Sequence, residues 1–271
     1  MNTNTPTFHE KPAPPTVATT ITTSGFAILI AILIVGSVVA SATGIFYTAG
    51  DGPREIETVR ETTVTIHGYG VYRHMSADVA VQGIGQDFVT LFLGVPALVI
   101  AYRTARRGGI KSRLILAGVL AYFFVTYLFY LAMGTYNELF LLYAVLIGSS
   151  FFALVRVLLS VDLAQLSVHL THRRSMRFAG GFLVVNAVLI GLLWSSVVVP
   201  PLLDGSLYPV SLQHYTTLIV QGFDLGLLLP LSIVSGVLLR RGTTLGLLAG
   251  PVYLVFLSLL MTALVAKIVA M

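Results

Sequence analysis

Three acidic residues stand where a hydrophobic sequence makes a charge costly, and they are the positions at which this chain could do chemistry. Asp224, Asp87 and Glu138 each lie inside or at the edge of a long uncharged stretch. On insertion scales a charge at mid-helix costs about 2.5 to 3.5 kcal/mol, so each acid requires a partner, water or a function. Carboxylates in such places can bind a cation or polar solute, transfer protons, or hold a metal.

Asp224 is the strongest candidate because a span starting near Thr216 would bury it about eight residues deep, or roughly 12 Å. Gln221 lies three residues earlier and Thr217 one turn further outward, which predicts a polar stripe on one helix face. Asp224 and Gln221 of this stripe are candidate ligands. Pro230 follows and removes one backbone amide donor, which predicts a kink below the stripe. The alternative role of Asp224 is structural, as a hydrogen-bonded tie between helices.

The position of Asp87 within its predicted helix follows from the length of the uncharged stretch after it. Only fifteen uncharged residues separate Asp87 from Arg103, which is short for a span, so the helix must begin before Asp87. A start near Gln82 brings Gln86 and Asp87 below the outer headgroups as candidate ligands. The alternative is that Arg73 or Lys267 neutralises the carboxylate.

Glu138 follows a tight turn in which Asn137 can cap the next helix. A glutamate in the first turn of a helix also complements the helix dipole, which favours a capping role over ligand contact. The turn nevertheless places Asn137 and Glu138 on the same side as Asp87 and Asp224, so both remain candidate ligands.

Three histidines are predicted on that same side: His67, His74 and His214. Imidazoles together with carboxylates could bind a divalent metal cation, which makes these residues candidate metal ligands. They lack the spacing of two ligands on one helix face, and solvated loop histidines are the alternative. No other cofactor is predicted, because the chain has no cysteine for thiolate sites and no histidine at mid-bilayer for haem.

The elements that position these residues are membrane-spanning helices. The 271 residues are 56% hydrophobic and 10% charged, which is typical of an integral membrane protein. Uncharged segments of about 20 residues predict seven spans. The predicted spans are residues 25 to 47, 82 to 102, 114 to 133, 139 to 160, 178 to 199, 216 to 239 and 244 to 266.

The charges predict which end of this all-α bundle faces the cytoplasm. If each segment spans, twelve of the sixteen Lys and Arg and only two of the eleven acids fall on one side. The positive-inside rule makes that side cytoplasmic, with the N-terminus inside and the C-terminus outside. The basic residues then lie near anionic lipid headgroups, so the lipid bilayer rather than nucleic acid is the predicted partner. A multi-pass position in the inner (plasma) membrane is expected.

Two segments fall outside the spans. Residues 1–24 are rich in Thr and Pro and are predicted to be a disordered cytoplasmic tail, leaving residues 25–271 as the transmembrane domain. Residues 48–81 form the longest outer loop. Its alternation from Thr63 to His67 predicts a small β-hairpin that turns near Gly68 to Gly70.

Three segments resemble those of uncharacterised prokaryotic proteins with about seven spans. These segments are Gly85-Gln86-Asp87-Phe88-Val89-Thr90-Leu91, Tyr136-Asn137-Glu138-Leu139-Phe140-Leu141-Leu142-Tyr143 and Phe223-Asp224-Leu225-Gly226. The resemblance covers spans two to six and implies no activity. It contains the same three acids.

Three hypotheses of function follow. The first is an outward-facing acidic pocket that binds or transports a small solute or cation, with Asp224 as its central acid. The second is a metal-dependent membrane enzyme in which Asp87, Glu138 and Asp224 act near the outer surface. The third is a sensor or assembly subunit whose acids are structural.

Overall fold

The computed structural model describes residues 21–132, 135–168 and 173–271. Within these ranges, seven helices are long and apolar enough to cross a membrane. They are α1 (Ser24–Phe46), α2 (Ala77–Arg106), α3 (Ile110–Ala132), α4 (Phe140–Leu159), α5 (Arg173–Val198), α6 (Ile219–Arg241) and α7 (Thr244–Ala270). The prediction of seven spans in an all-α membrane protein is confirmed, and the chain is a multi-pass membrane protein.

The loops gather at two ends of the bundle. We call the end formed by residues 47–76, 135–139 and 199–218 the hairpin side, and the end formed by 107–109, 160–168 and 242–243 the arginine side. The Arg73–Glu138 ion pair joins two loops of the hairpin side. On the arginine side, the Arg113 guanidinium donates to the Ser160 carbonyl over 2.5 Å. Which side faces the cytoplasm stays a prediction.

The predicted tail lies outside the described residues as far as position 20. Ile21, however, is only 2% exposed, and the Thr23 hydroxyl caps α1 by accepting from the Phe26 amide at 3.4 Å. Threonine is a favourable N-cap because its side chain satisfies an amide that the first helical turn leaves unpaired. Residues 21–24, assigned to the tail from the sequence, therefore belong to the structured bundle.

The loop between α1 and α2 contains the predicted hairpin, with strands β1 (Arg54–Glu57) and β2 (Thr63–Ile66) pairing antiparallel. Its turn is at residues 58–62, where the Thr58 amide donates to the Thr62 carbonyl over 2.8 Å. The predicted turn at Gly68 to Gly70 was wrong. Gly68 and Gly70 have positive φ because the chain passes against the backbone of residues 47–52 there, where a Cβ would overlap carbonyl oxygens.

Helix α3 is the centre of the bundle and α5 its periphery. In their most apolar stretches α3 is 61% buried within the molecule, whereas α5 is 11% buried. Helices α2, α4 and α7 surround α3, and α1 packs on α2 and α4. Helix α5 packs mainly along α6, which in turn packs on α7. The α5–α6 pair therefore stands against the rest of the bundle chiefly through α7.

Helices α2 and α6 are both interrupted by a single wide π-turn. The turns span Thr90–Gly94 and Asp224–Leu228, and each is followed by a residue and then a proline. Proline lacks the amide that an α-helix needs and its ring crowds the preceding turn, so a wider turn relieves both defects. The sequence argument predicted a kink at Pro230; the structure has a π-turn before this proline, and Pro96 follows a π-turn of α2 in the same way.

Candidate functional site

A cavity of about 210 Å³ lies between the α5–α6 pair and helices α2, α3 and α7. Its walls are mostly apolar and come from residues such as Phe129, Ile190 and Leu257. Tyr72 and Met75 line it toward the hairpin side. The side chains with polar groups that line it are Tyr72, Gln82, Gln86, Thr126, Tyr130, Asn186, Trp194, Asp224, Tyr253 and Lys267. This is the concave, largely apolar pocket with a few polar groups in which small molecules bind.

Asp224 lines this cavity at the start of the π-turn in α6. The Trp194 indole N–H donates to Asp224 Oδ2 over 2.7 Å, which ties α5 to α6. The structural tie considered from the sequence is therefore present, although it occupies only one carboxylate oxygen. Helix α6 starts at Ile219 rather than near Thr216, so Asp224 lies five residues into it, or roughly 7.5 Å. The predicted depth of eight residues was too large.

The predicted polar stripe from Thr217 to Asp224 is interrupted. Thr217 is exposed and precedes the helix, and Leu218 has a non-helical ψ of 80°. Val220, four residues before Asp224, shares the cavity wall with it, whereas Gln221 is only partly buried. Of the two stripe residues proposed as ligands, the structure brings Asp224 alone to the cavity wall.

Lys267 lies in the last turn of α7 and lines the same cavity. Its ammonium interacts electrostatically with both Asp224 and Asp87. Among the described side chains, neither acid is in ion-pair contact with Lys267. The cavity wall therefore carries one acid and one ammonium that are near each other but not paired.

Gln86 reaches the cavity from α2 and is fixed by hydroxyl groups. Its Nε2 donates to the Tyr122 hydroxyl over 2.8 Å and to Thr126 Oγ1 over 3.3 Å. Thr90 also bonds the Tyr122 hydroxyl, at 2.9 Å. In the described part of the chain Gln86 Oε1 has no partner although the residue is only 3% exposed. A buried amide oxygen without a partner costs free energy, so it is a ready acceptor for a bound molecule.

Asp87 lies behind the cavity wall, ten residues into α2 as the sequence argument required. It is 1% exposed, and its two oxygens accept hydrogen bonds from the Tyr72 hydroxyl at 2.5 Å and the Tyr130 hydroxyl at 3.0 Å. Burial and the Asp87 carboxylate raise the pKa of Tyr72 well above its usual value, so this loop tyrosine stays a donor. Asp87 is thus held by tyrosines, with Lys267 acting from further away.

Asn137 and Glu138 do not reach the cavity. Asn137 Oδ1 accepts from the Leu139 amide over 2.9 Å, and its Nδ2 donates to the Val71 carbonyl over 3.4 Å. Asn137 therefore shapes the turn before α4 but does not cap the helix as predicted, because the N-cap position is Leu139 and no side chain caps it. Glu138 precedes α4 by two residues instead of lying in its first turn, and it pairs with Arg73 at the exposed surface.

The candidate metal ligands His67, His74 and His214 are on the hairpin side. His214 Nε2 contacts the His74 carbonyl oxygen at 3.0 Å, and the ring of His67 meets Tyr69 edge-on. Partial burial lowers the pKa of His67, which favours its neutral form. Across residues 21–132, 135–168 and 173–271 no three His, Asp or Glu side chains form a metal-binding group.

The loop before α6, residues 199–218, is held on the hairpin side by contacts with the β-hairpin. The Arg60 guanidinium, in the turn between β1 and β2, donates to the carbonyls of Gln213 and Tyr215 over 2.8 and 2.9 Å. It also lies 5.0 Å from the centre of the Tyr208 ring. The Tyr215 hydroxyl bonds the Ser76 amide at 3.2 Å, next to the start of α2. The peripheral α5–α6 pair is thus connected to the bundle through its loop.

Sequence reasoning missed Trp194, Asn186 and Tyr130 as parts of the site. Trp194 is the only tryptophan of the chain and lies within a span, which is the one signal that could have singled it out. Asn186 and Tyr130 are ordinary polar residues of apolar helices. No pattern in the sequence states that α3, α5 and α6 enclose a common space.

No protein family, curated protein or solved structure matches this chain.

Proposed function

We propose that this protein binds a small zwitterionic solute with an apolar body in the cavity between α2, α3, α5, α6 and α7, and carries it across the membrane. Asp224 would bind the positive group of the solute and Lys267 its negative group. Gln86 Oε1 would accept a further hydrogen bond, and the apolar walls would hold the body of the molecule.

The observation that carries this proposal is the pair of opposite charges on one mostly apolar wall. Two unpaired charges at the level of a membrane-spanning helix are costly, and a ligand with complementary charges offsets that cost. The cavity, at about 210 Å³, is smaller than the roughly 300 to 1,000 Å³ of sites for drug-sized ligands. The solute is therefore of about amino-acid size.

The interruptions of α2 and α6 support transport rather than binding alone. Both helices line the cavity, and each contains a π-turn followed by a proline. The π-turn of α6 contributes Asp224 and Leu228 to the wall, and that of α2 begins four residues beyond Gln86. Broken helices beside a central binding site are the usual construction of secondary transporters, because they allow one half of a helix to move against the other.

The metal-dependent enzyme finds no such support in the arrangement of the acids. Asp224 lies on the cavity wall, Asp87 lies behind it, and Glu138 is paired with Arg73 at the surface. A shared metal or an acid–base pair needs carboxylates that reach one reacting centre. No contact of the described residues specifically favours the third hypothesis, a sensor or assembly subunit.

Thermal melting of the detergent-purified protein tests the proposal with four probes of similar size. Leucine and phenylalanine carry both charges, phenethylamine carries only the positive charge, and phenylpropionate only the negative one. We expect a saturable rise of the melting temperature with a zwitterion, reaching about 2.7 kcal/mol of stabilisation at a hundredfold excess over its Kd. The two singly charged probes should bind more weakly, because each leaves one wall charge unmatched.

Asp224→Asn and Lys267→Met should each raise the Kd of the zwitterion roughly 10- to 100-fold, since a hydrogen bond to a charged group contributes about 1.5 to 3 kcal/mol. Asp204→Asn is the matched control, because it makes the same change at an exposed hairpin-side residue. Absence of any shift with all four probes, or an equal shift in wild type and Asp224→Asn, would contradict the proposal.

A further inference from the structure

A second polar cluster lies behind the cavity, between α1, α2 and α3, and the proposed solute does not use it. Its acid is Asp87, the most deeply buried carboxylate described. The facing surface of α1 presents Ser37, Ser41 and Gly44, which follow one another at helical spacing on a single face. All three residues are buried.

This face of α1 approaches Asp87 closely. A Cβ on Gly44 would overlap Asp87 Oδ2, so the absence of a side chain there is what lets the carboxylate reach α1. Ser41, one turn away, lies beside the same carboxylate. Ser37, a further turn along, lies beside the hydroxyl of Tyr127 from α3.

The hydroxyl oxygens of this cluster lack well-formed hydrogen bonds. In the described residues, Ser37 Oγ, Ser41 Oγ and the Tyr127 hydroxyl make no hydrogen bond of full geometry, although Ser41 interacts with the Asp87 carboxylate and Ser37 with the Tyr127 hydroxyl. All three side chains are fully buried. A helical serine normally satisfies itself by bonding the carbonyl four residues earlier. Ser150 does so at 2.7 Å and Ser258 at 2.8 Å, whereas Ser37 and Ser41 do not.

The cluster contains a single acidic group. Asp87 accepts one tyrosine hydrogen bond on each oxygen, which leaves further lone pairs on both. The groups that face it are the tyrosines 72, 122, 127, 130 and 143, together with the more distant Lys267. A fully buried carboxylate stays ionised only beside a counter-charge, and hard cations take oxygen ligands from carboxylates, carbonyls and hydroxyls.

We propose that Asp87, Ser41, Ser37 and Tyr127 form an internal site for one monovalent cation of the size of Na⁺. With the cation bound, the Asp87 carboxylate supplies the single charge that the cation matches, and the three buried hydroxyls supply neutral oxygen ligands. The site is separate from the solute cavity, so it stands whether or not a zwitterion binds there.

The cation would reach this site through the cavity. Tyr72 and Tyr130 line the cavity and also donate to Asp87, so these two rings form the partition between the two sites. A molecule in the cavity and a cation at Asp87 would therefore contact opposite faces of the same side chains. Where two ligands share such a wall, each changes the affinity of the other by the same factor.

Melting of the purified wild-type protein in NaCl, KCl and choline chloride at one ionic strength and one pH tests the site directly. We expect a saturable rise of the melting temperature in Na⁺ relative to choline, and binding of one ²²Na⁺ per chain. Asp87→Asn should abolish both. The Ser37→Ala/Ser41→Ala double variant should raise the Na⁺ Kd roughly tenfold or more through the loss of two ligands.

Two controls keep the outcomes decisive. Asp204→Asn should leave the Na⁺ effect unchanged, and the double serine variant gives an answer even if Asp87→Asn does not fold, because it removes only two buried hydroxyls. The proposal is overturned if the melting temperature is equal in Na⁺ and choline, or if it follows pH but not Na⁺. It is also overturned if the Na⁺ effect persists in both site variants. In those cases the cluster binds protons or ordered water instead.

Discussion

At the scale of single residues, loss of the hydrogen bonds to Asp87 should lower the free energy of unfolding the most. The Tyr72 hydroxyl is a donor to a carboxylate that is 1% exposed. Tyr72→Phe keeps the ring and removes that donor, so we expect a loss of about 1 to 3 kcal/mol in the free energy of unfolding. Denaturant unfolding of the purified protein measures it.

Tyr136→Phe is the control for this substitution. Tyr136 is 75% exposed, and surface changes of this kind stay within about 0.5 kcal/mol. Equal stability of Tyr72→Phe and Tyr136→Phe would mean that the Tyr72 hydroxyl does not hold the carboxylate.

His67 gives the hairpin side a dependence on pH. Burial lowers its pKa in the folded protein below the value of 6.5 that it has in the unfolded chain. The unfolded chain then binds the proton more readily, so the contribution of His67 is complete above about pH 6.5 and decreases as the pH falls below it. We expect the fall of the melting temperature between pH 7.5 and 5.5 to be smaller in His67→Gln than in wild type.

His74→Gln serves as the comparison, because His74 is an exposed histidine of the same loop. An identical pH dependence in wild type, His67→Gln and His74→Gln would assign the acid sensitivity to other groups.

The sequence singled out Asp87 and Asp224 as costly positions for a charge, but it could not identify their hydrogen-bond partners. The cost of a charge in a hydrophobic stretch is a local property, which is why Asp87 and Asp224 were recognisable. The hydroxyls that bind Asp87 come from 15 residues before and 43 residues after it, and the indole that binds Asp224 from 30 residues before it. Such contacts depend on how helices pack, and hydropathy carries no information about that.

At the scale of the elements, α5 and α6 are held together by a close crossing at two glycines. A Cβ on Gly180 would overlap the Gly236 carbonyl oxygen, and a Cβ on Gly236 would lie 2.6 Å from the Gly180 carbonyl oxygen. Small residues allow such backbone approach, which stabilises helix pairs in membranes. Gly180→Val should therefore destabilise the protein by about 1 to 3 kcal/mol and weaken solute binding at the cavity that this pair encloses.

Gly181→Val is a matched control from the neighbouring position. A Cβ at Gly181 has open space around it, and the change in helix propensity is the same. Unfolding and zwitterion-dependent melting of the two variants measure the effect. Equal behaviour of both variants would show that the α5–α6 crossing is not tight.

The helices were predictable where their position depends only on the residues of the same segment. The seven spans followed from uncharged lengths, and the irregularity at Pro230 followed from a missing amide donor. The start of α6 and the turn of the hairpin were wrong, since Thr217 and Thr216 are uncharged without being helical, and Gly68 and Gly70 serve a contact with residues 47–52 rather than a turn. Tertiary contacts decide these boundaries.

At the scale of the whole molecule, the orientation of the bundle is open to a direct measurement. The chain has no cysteine, so each introduced thiol is unique. Val59, at the tip of the hairpin, is 93% exposed, and Lys111 is exposed on the arginine side. By the positive-inside rule, a membrane-impermeant maleimide added to intact cells should label Val59→Cys and not Lys111→Cys. Labelling of Lys111→Cys alone would reverse the orientation.

The cavity lies where two parts of the molecule meet. A compact part made of α1–α4 and α7 stands against a peripheral α5–α6 pair, which is joined to it by α7 and by the Arg60 contacts on the hairpin side. The proposed transport would require this pair to move as a unit while the compact part stays fixed, as transporter bundles do around a central site.

Binding of a radiolabelled zwitterion, phenylalanine or leucine, to the purified protein tests this account most directly. Equilibrium dialysis should find one saturable site per chain in wild type and in Asp204→Asn. In Asp224→Asn the Kd should rise roughly 10- to 100-fold because the carboxylate that meets the ammonium is lost. Equal binding by wild type and Asp224→Asn, or no saturable binding of either amino acid, would contradict the assignment of the cavity.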